Sequence, residues 1–573
     1  MSGSHPASRD MDMLHGPVAR KMLVFALPVA LTGLFQQLFT AADIFVLGRF
    51  VGKEAMAAAG NNIPAISLII NLYTGLALGA NVVIARCIGS GDRNGTRSAV
   101  QTAVLLSLIS GIAIAAMGVP LSRTVTELLG VPEEVFTMSE DYLRIYFYGI
   151  PALAFFNFAA AILRSRGDTR TPLFALIQST ILNIVLNLAF VKAGWGLSGV
   201  VWATDIANYW AAVFLFIGLI RTPGSVRLVL AGMRADMGHL KEILRIGLPA
   251  GVQLMVFAIA NICLQQSINS LGADAMAASA AAFTVEINVY CVIASFGQAV
   301  TTFVSQNYGA GNLRRCRLCT RTGIFLDLCG MAIMSVFCLG FAGPIIGLFS
   351  SDPEVIRLGV IRVWYVVLPE SINVFLEVLS DALRGYGIST PPALIALFGI
   401  CGFRLAWIFL YFPHSSTFET LMAVFGLSWA ITAFFLAIAY VWYMRGARLT
   451  RPHLRAATQR SLMSAYSIVY LAEKHSIAEA LADVLPGRSV KRNGYIECGS
   501  AAVTWLSGHL LEQAPPEAYD PAYKRWSRET LPIVPEVFKY TVRRDRNIPK
   551  QLAVIKNLLR ESPSAVNAAD FDR

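Results

Sequence analysis

Asp43 stands in the stretch FTAADIFVLG, toward the end of an apolar run of membrane-crossing length. A charged side chain inside a bilayer costs about 2.5–3.5 kcal/mol even on permissive scales, so it faces a cavity or meets a partner. A carboxylate in such a cavity can trade a proton or a sodium ion for a cationic solute. Whichever cation neutralises it removes the cost of sealing a bare charge away from water. The plainer alternative is an acid at the interfacial end of a helix. Asn183 and Asn187 in LNIVLNLAF are spaced i, i+4 and share one helix face. Two amides so placed either coordinate a cation or hold water, or they join helices by hydrogen bonds. Thr204 and Asp205 in WATDIAN add polar groups to a further apolar run, and Glu286 in FTVEINVY lies near the middle of another. Asp327, Glu370, Glu377 and Asp381 fall on later runs. Glu377 and Asp381 are again four residues apart and are expected to pack near Arg384.

The elements that position these groups are membrane helices. The chain has 573 residues, 55% of them hydrophobic and only 14% charged, with a mean hydropathy of +0.57. That composition excludes an ordinary large soluble protein. At about 20 apolar residues per crossing, roughly twelve runs are long enough, the tenth over 359–381. Arginines cluster after every second run, at Arg86, Arg93 and Arg97, at Arg164, Arg166 and Arg170, and at Arg314, Arg315 and Arg317. The intervening loops carry acids such as Glu133, Glu134 and Glu354. The positive-inside rule then puts both termini in the cytoplasm, and it accounts for the net charge of +11 without a nucleic-acid partner. No secretory signal peptide is expected, because Met1 to Lys21 is polar. The nine cysteines are scattered and read as small core residues; the lone CxxC, Cys316 to Cys319, lacks the second pair a zinc site would need.

The chain also repeats itself. IGSGDRN at Ile88 matches YGAGNLR at Tyr308, and LRSRGDTRTP at Leu163 matches LRGYGISTPP at Leu383, both at an offset of 220 residues. One constant offset predicts an all-α polytopic membrane protein of two six-helix lobes in the same orientation, with a solute site between them. The expected divisions are a cytoplasmic N-terminus (1–21), an N-lobe (22–220), an inter-lobe linker (221–242), a C-lobe (243–445), a basic linker (446–462) and a separate tail (463–573).

The paired halves, together with ADIFVLGRFVG, GLPAGVQLMVFAIANICLQQSINSLG and FVSQNYGAGN, resemble the multidrug and toxic compound extrusion (MATE) transporters, most closely the DinF-like branch. The resemblance runs from about Met22 to Arg445. It implies a V-shaped pair of helix bundles in the bacterial cytoplasmic (inner) membrane. Such a protein works as a monomer in the lipid bilayer, without a cofactor and without enzymatic activity. It exports small organic compounds, often cationic, in exchange for H⁺ or Na⁺. By the same resemblance Asp43 matches a cation-coupling aspartate of the first helix. Asn183, Asn187 and Thr204 complete an N-lobe site, and Glu286 is a second intramembrane acid expected to act in coupling or substrate binding. Two departures stand out. Relatives often carry Asp where this chain has Asn187, and some carry an acid in the seventh helix near Met255, where this chain has none. A lipid-linked oligosaccharide flippase of the same superfamily is the alternative; twelve runs and acidic intramembrane groups argue against it.

The tail is different in kind. After Arg460 hydropathy collapses. SIVYLAEKHSIAEALADVLP reads as strand, turn and helix, GYIECGSAAVTW as a hairpin, and PKQLAVIKNLLRES as an amphipathic helix with Leu552, Ile555 and Leu558 on one side. From Met463 onward the order of LAEKHSIAEALADVLP, YIECG, LPIVP and NAADFDR resembles the start of type IA DNA topoisomerase III. That implies part of a Toprim α/β fold, in which Glu473, Asp570 and Asp572 would hold Mg²⁺. The rest of that fold and the tyrosine nucleophile are expected to be missing. A membrane-tethered DNA-binding or topoisomerase module is therefore the third reading, and no functional nucleic-acid partner is expected.

Overall fold

The computed structural model describes residues 11–446, 466, 468–486, 489–506, 511–513, 540–542, 548–562 and 564–568. They belong to two compact units, Met1–Arg445 and Gly446–Arg573.

In the first unit the apolar runs become helices because a backbone in lipid must satisfy its own hydrogen bonds. The first half holds α1 (Val18–Val46), α2 (Lys53–Gly89), α3 (Arg93–Leu128), α4 (Glu133–Ser165), α5 (Arg170–Lys192) and α6 (Gly196–Arg221). The second half holds α7 (Met237–Asn269), α8 (Ala273–Gly309), α9 (Leu313–Gly340), α10 (Ala342–Gly347), α11 (Pro353–Val367), α12 (Glu370–Gly385), α13 (Thr390–Ala396), α14 (Phe403–Ala406) and α15 (Phe418–Gly446). Wide π-type turns at Leu397–Gly402 and Trp407–Tyr411 flank α14. The 220-residue offset survives in the fold, since α2 and α8, and likewise α3 and α9, start at equivalent positions.

Eleven helices among the described residues are long and apolar enough to cross a membrane, against the twelve runs expected. The missing one is the run over 359–381. It forms two helices in series, α11 and α12, interrupted at Leu368 and Pro369. Proline has no N–H to give and its ring collides with the preceding turn, which permits a break here without compelling one, since Pro28, Pro64, Pro120, Pro151 and Pro249 stand inside unbroken helices. At the equivalent place in the first half stands Gly149, and α4 runs on unbroken.

The helices end where the repeated motifs predict turns. Gly167 and Gly387 close the two matching turns with φ of +95° and +77°, a left-handed conformation that a side chain would strain. Asp92 and Asn312 cap α3 and α9 through side-chain oxygens that accept from Gly95 and Arg315 N–H. Large apolar side chains such as Leu27, Phe45, Ile109 and Phe325 remain exposed, which suits a surface that meets lipid.

One apolar core fills the first half, and two others fill the second. Helix α1 is shared: Met22, Phe25 and Val29 pack in a core with α8, while Asp43 and Val46 are buried toward the first half. The lobes touch from the middle of α2 to the face carrying the basic loops. Asn71 donates to Leu254 O at 3.2 Å, Thr302 to Asn81 Oδ1 at 3.0 Å, Arg164 to Gln298 Oε1 at 2.8 Å and Gln306 to Ser165 O at 2.7 Å. Arg86 and Glu242 form an ion pair at the same end.

The second unit is α/β. A five-stranded sheet has the order β2 (Ser489–Arg492), β3 (Tyr495–Cys498), β4 (Ala501–Trp505), β1 (Ile468–Ala472), β7 (Ala565–Ala568). Strand β1 runs parallel to both β4 and β7, and β2, β3 and β4 form an antiparallel meander. A separate ribbon pairs β5 (Leu511–Gln513) with β6 (Tyr540–Val542). Helix His475–Val484 packs on the sheet, and helix Ile548–Glu561 buries Ile555 and Leu558, as their spacing predicts.

A candidate ion-coupling site in the N-lobe

Three helices build the site. The i, i+4 spacing of Asn183 and Asn187 points both amides from α5 in one direction, and both are fully buried. Asp43 comes from the last turns of α1 and Thr204 from α6, at 7% and 5% exposure. Asn187 Nδ2 donates to Asp43 Oδ1 at 2.7 Å, and Asn183 Nδ2 donates to the same oxygen at 3.0 Å. The Thr204 hydroxyl donates to Asp43 Oδ2 at 2.8 Å and accepts from Asn183 at 3.2 Å. Asn187 Nδ2 also reaches Asn183 Oδ1 at 3.2 Å. Four of the five residues singled out for transport therefore meet around one carboxylate.

No cationic side chain hydrogen-bonds to this carboxylate among the described residues; its partners are neutral amides and a hydroxyl. Asn187 Oδ1 is buried beside it with no hydrogen-bond partner. The set of oxygens, two from Asp43 and one each from Asn183, Asn187 and Thr204, matches what a hard monovalent cation or a proton binds. An orphaned carbonyl oxygen next to a carboxylate is costly in a dry interior, and a bound cation would satisfy it.

Asp205, one residue further along α6, belongs to a different surface of that helix. It is buried against Gly149 of α4, where a Cβ would run into its carboxylate, and neither of its oxygens has a hydrogen-bond partner. Sequence alone left its direction open.

Glu286 is held elsewhere. It forms a buried two-point ion pair with Arg362 of α11, at 2.7 and 2.9 Å, and Arg362 lies 5.7 Å from the Phe425 ring centre. The sequence reading weighed Glu286 as an isolated acid and did not single out Arg362; an arginine inside an apolar run was the available signal. Arg404 was missed too. It is buried between Ser428, Asn261 and the Phe425 ring, 4.5 Å from that ring's centre. Asp381 pairs with Arg384 at 2.6 Å, Arg384 also donates to Gln253 at 2.8 Å, and Glu377 accepts from Tyr290 at 3.2 Å. The Asp327 carboxylate is buried without a hydrogen-bond partner.

In the second unit Glu473 follows β1 directly. Ala472 is level with Ala568, so Glu473 leaves the sheet at the edge where β7 ends. Asp570 and Asp572, the other two expected Mg²⁺ ligands, lie outside the described residues.

A lipid-facing bundle of two repeated lobes, with a carboxylate sealed in one of them, defines a membrane transporter rather than an enzyme. The MatE family model matches residues 28–189 and 249–410, once in each half, and the chain belongs to that family. It is similar to the probable multidrug resistance protein YoeA of Bacillus subtilis, with 26% identity over 70% of this chain and 89% of the relative. The fold matches an outward-facing multidrug resistance MATE family transporter of the MOP superfamily, with a TM-score of 0.72 and 22% identity over 78% of this chain and 100% of the other. The tail is similar to DNA topoisomerase 3 of Haemophilus influenzae, with 47% identity over 106 residues. That stretch is 18% of this chain and spans only 16% of the topoisomerase.

Proposed function

We propose that the protein exports small organic compounds, many of them cationic, from the cytoplasm in exchange for H⁺ or Na⁺. It would work as a monomer in the bacterial inner membrane, with both termini in the cytoplasm and no cofactor. The observation that carries this reading is the Asp43 carboxylate, buried among Asn183, Asn187 and Thr204 beside an orphaned amide oxygen. In the exchange, the coupling ion is a second substrate. With the ion on Asp43 the N-lobe carries no bare charge and the lobes can rock past the occluded state. With the ion released, the carboxylate draws a cationic solute toward the lobe. Binding of one occupant opposes binding of the other, and that opposition is what links the two fluxes.

Contact between the lobes along the basic face corresponds to a state closed to the cytoplasm, if the basic loops lie there as the positive-inside rule has it. The name of the B. subtilis relative supports drugs as the solute class. The tail takes no part in this reading, and its Glu473 would hold Mg²⁺ only together with Asp570 and Asp572.

The test is reconstitution into vesicles with an imposed pH or Na⁺ gradient and a fluorescent cationic dye. Gradient-driven dye movement that Asp43→Asn abolishes is the expected result. Dye movement independent of both gradients, or unchanged in the variant, overturns the reading.

A further inference from the structure

Among the described residues the second half buries five acids and three arginines. Two of the acids already have cations: Glu286 is held by Arg362, and Asp381 by Arg384. The third arginine, Arg404, is bonded to Ser428 and Asn261, and the charges of Glu286 and Arg362 act on it. From the first half, Arg164 ends on Gln298 of α8 at 2.8 Å. That leaves Asp327, Glu370 and Glu377. Glu377 accepts from the Tyr290 hydroxyl at 3.2 Å and feels Arg384, which Asp381 already engages. Glu370 is buried with its Oε2 unpartnered, and the thiols Cys291 of α8 and Cys338 of α9 lie within reach of its charge. Asp327 of α9 is fully buried and neither of its oxygens has a hydrogen-bond partner; its charge acts on Glu370, and that of Glu377 acts on it.

The acids of α12 form a file. Glu370, Glu377 and Asp381 are i, i+7 and i+11, a spacing that puts all three on one helix face. At 1.5 Å per residue the file runs about 16 Å, from the break at Pro369 toward the turn at Gly387 on the basic face. Asp327 joins it from α9 and Tyr290 from α8. The repeat shows that the fold does not require this file. The positions 220 residues earlier hold Ser107, Ile150, Asn157 and Ala161. Conversely, the places of Asp43, Asn183, Asn187 and Thr204 are taken in the second half by Cys263, Phe403, Trp407 and Val424. Each half therefore carries a polar site that the other lacks. A bare carboxylate sealed in apolar surroundings is very costly, and several within reach of one another also repel. A proton removes both penalties. A metal ion fits less well: among the described residues no three of these acids are grouped as a metal would need.

We propose that Asp327, with Glu370 and Glu377, binds an exchangeable proton, so that the C-lobe carries a second coupling site, one that takes H⁺, apart from the site at Asp43. Its use in transport rests on the exchange proposed above. A proton from water forms an O–H bond with one carboxylate oxygen of the group. That bond breaks when the proton returns to water past Asp381 and Arg384, once the lobes part at the basic face. The Tyr290 hydroxyl both donates and accepts, so it can hand the proton along the file. Nothing is oxidised or reduced, and one proton enters for each that leaves. Chains of buried acids in membrane helices serve as such relays.

The experiment uses the full chain. Infrared difference spectra between acid and alkaline pH, taken in nanodiscs, report protonated buried carboxyls. In vesicles, the pH gradient at which dye flux reverses gives the number of protons moved per dye. Asp327→Asn replaces a carboxyl that bears a proton by a neutral amide of the same size, so the melting temperature should hold. The variant should lose one carboxyl band and move one proton fewer per dye, and Asp327→Glu should restore both. Asp43→Asn should leave the Asp327 band in place. Glu370→Gln carries the same test if Asp327→Asn misfolds, and it should shift or remove the same band. Dye flux that ignores every gradient overturns the exchange at Asp43 and leaves the infrared result standing. A chain that still couples through Asp43, but whose band and proton count are unchanged in Asp327→Asn and Glu370→Gln, overturns the second site. Unfolding of both variants also overturns it, because a carboxyl that already bears a proton tolerates an amide in its place.

Discussion

The Asn187 amide donates a 2.7 Å hydrogen bond to Asp43 Oδ1, across 144 residues of sequence. With an amide there, the site holds one carboxylate and the neutral oxygens around it. One negative charge balances one monovalent cation, so the exchange we propose moves a single H⁺ or Na⁺ per cycle through this site.

Asp43→Asn removes that charge but keeps size and hydrogen-bonding capacity. Expression and melting temperature should stay near wild type, and gradient-driven efflux in vesicles should fall by roughly tenfold or more. Full efflux by the variant would separate Asp43 from coupling.

Thr204→Val removes the donor to Asp43 Oδ2 at nearly constant volume. Transport should weaken but persist, with the half-saturating concentration of the coupling ion raised, because the two amides still hold the carboxylate. Dye efflux measured against ion concentration checks this; an unchanged ion dependence would place Thr204 outside the site.

Glu286→Gln leaves Arg362 buried without a carboxylate. Breaking one side of a buried pair costs about 3–5 kcal/mol, so a clear fall in melting temperature and in folded yield is expected. Glu286→Gln combined with Arg362→Met should recover much of the loss. If the single variant keeps full stability and loses only transport, Glu286 acts in coupling instead of holding its lobe together.

Gly79 lies where α2 meets α7, and a Cβ there would press into the backbone at Ile243 O and Gly247. Gly79→Leu should hold the lobes apart at the basic face. The reporter is a disulfide between Asn81→Cys and Thr302→Cys, replacing side chains that are 3.0 Å apart. It should form readily in the parent chain and poorly once Gly79→Leu is added; equal yields would show that the crossing tolerates the side chain.

A chain ending at Arg460 should insert and export at the rate of the full chain. Each unit has its own core, and none of the candidate transport residues comes from the tail. Lost export at normal membrane levels would give the tail a role in transport.

The information that sequence carried well was local or periodic. Apolar runs of crossing length, arginines after every second run and motifs repeated at 220 residues are properties of neighbours along the chain, and they predict helices, alternation and two lobes without reference to any distant contact. The shared face of Asn183 and Asn187 follows in the same way, since helical geometry alone puts residues four apart side by side. Pro369 was legible as a helix breaker but was read as part of a continuous crossing, because hydropathy averages over a window and does not register one missing N–H. Tertiary structure decided which acids are free and which are paired. Asp43 and Glu286 look alike in sequence, each a lone acid in an apolar run. Only packing brought Arg362 against one of them and two amides and a hydroxyl against the other. The direction of Asp205, one residue from Thr204, was likewise settled by α4, whose Gly149 leaves room for that carboxylate. A charge's role in a membrane is set by the groups within a few ångströms of it, and those come from helices far apart in sequence.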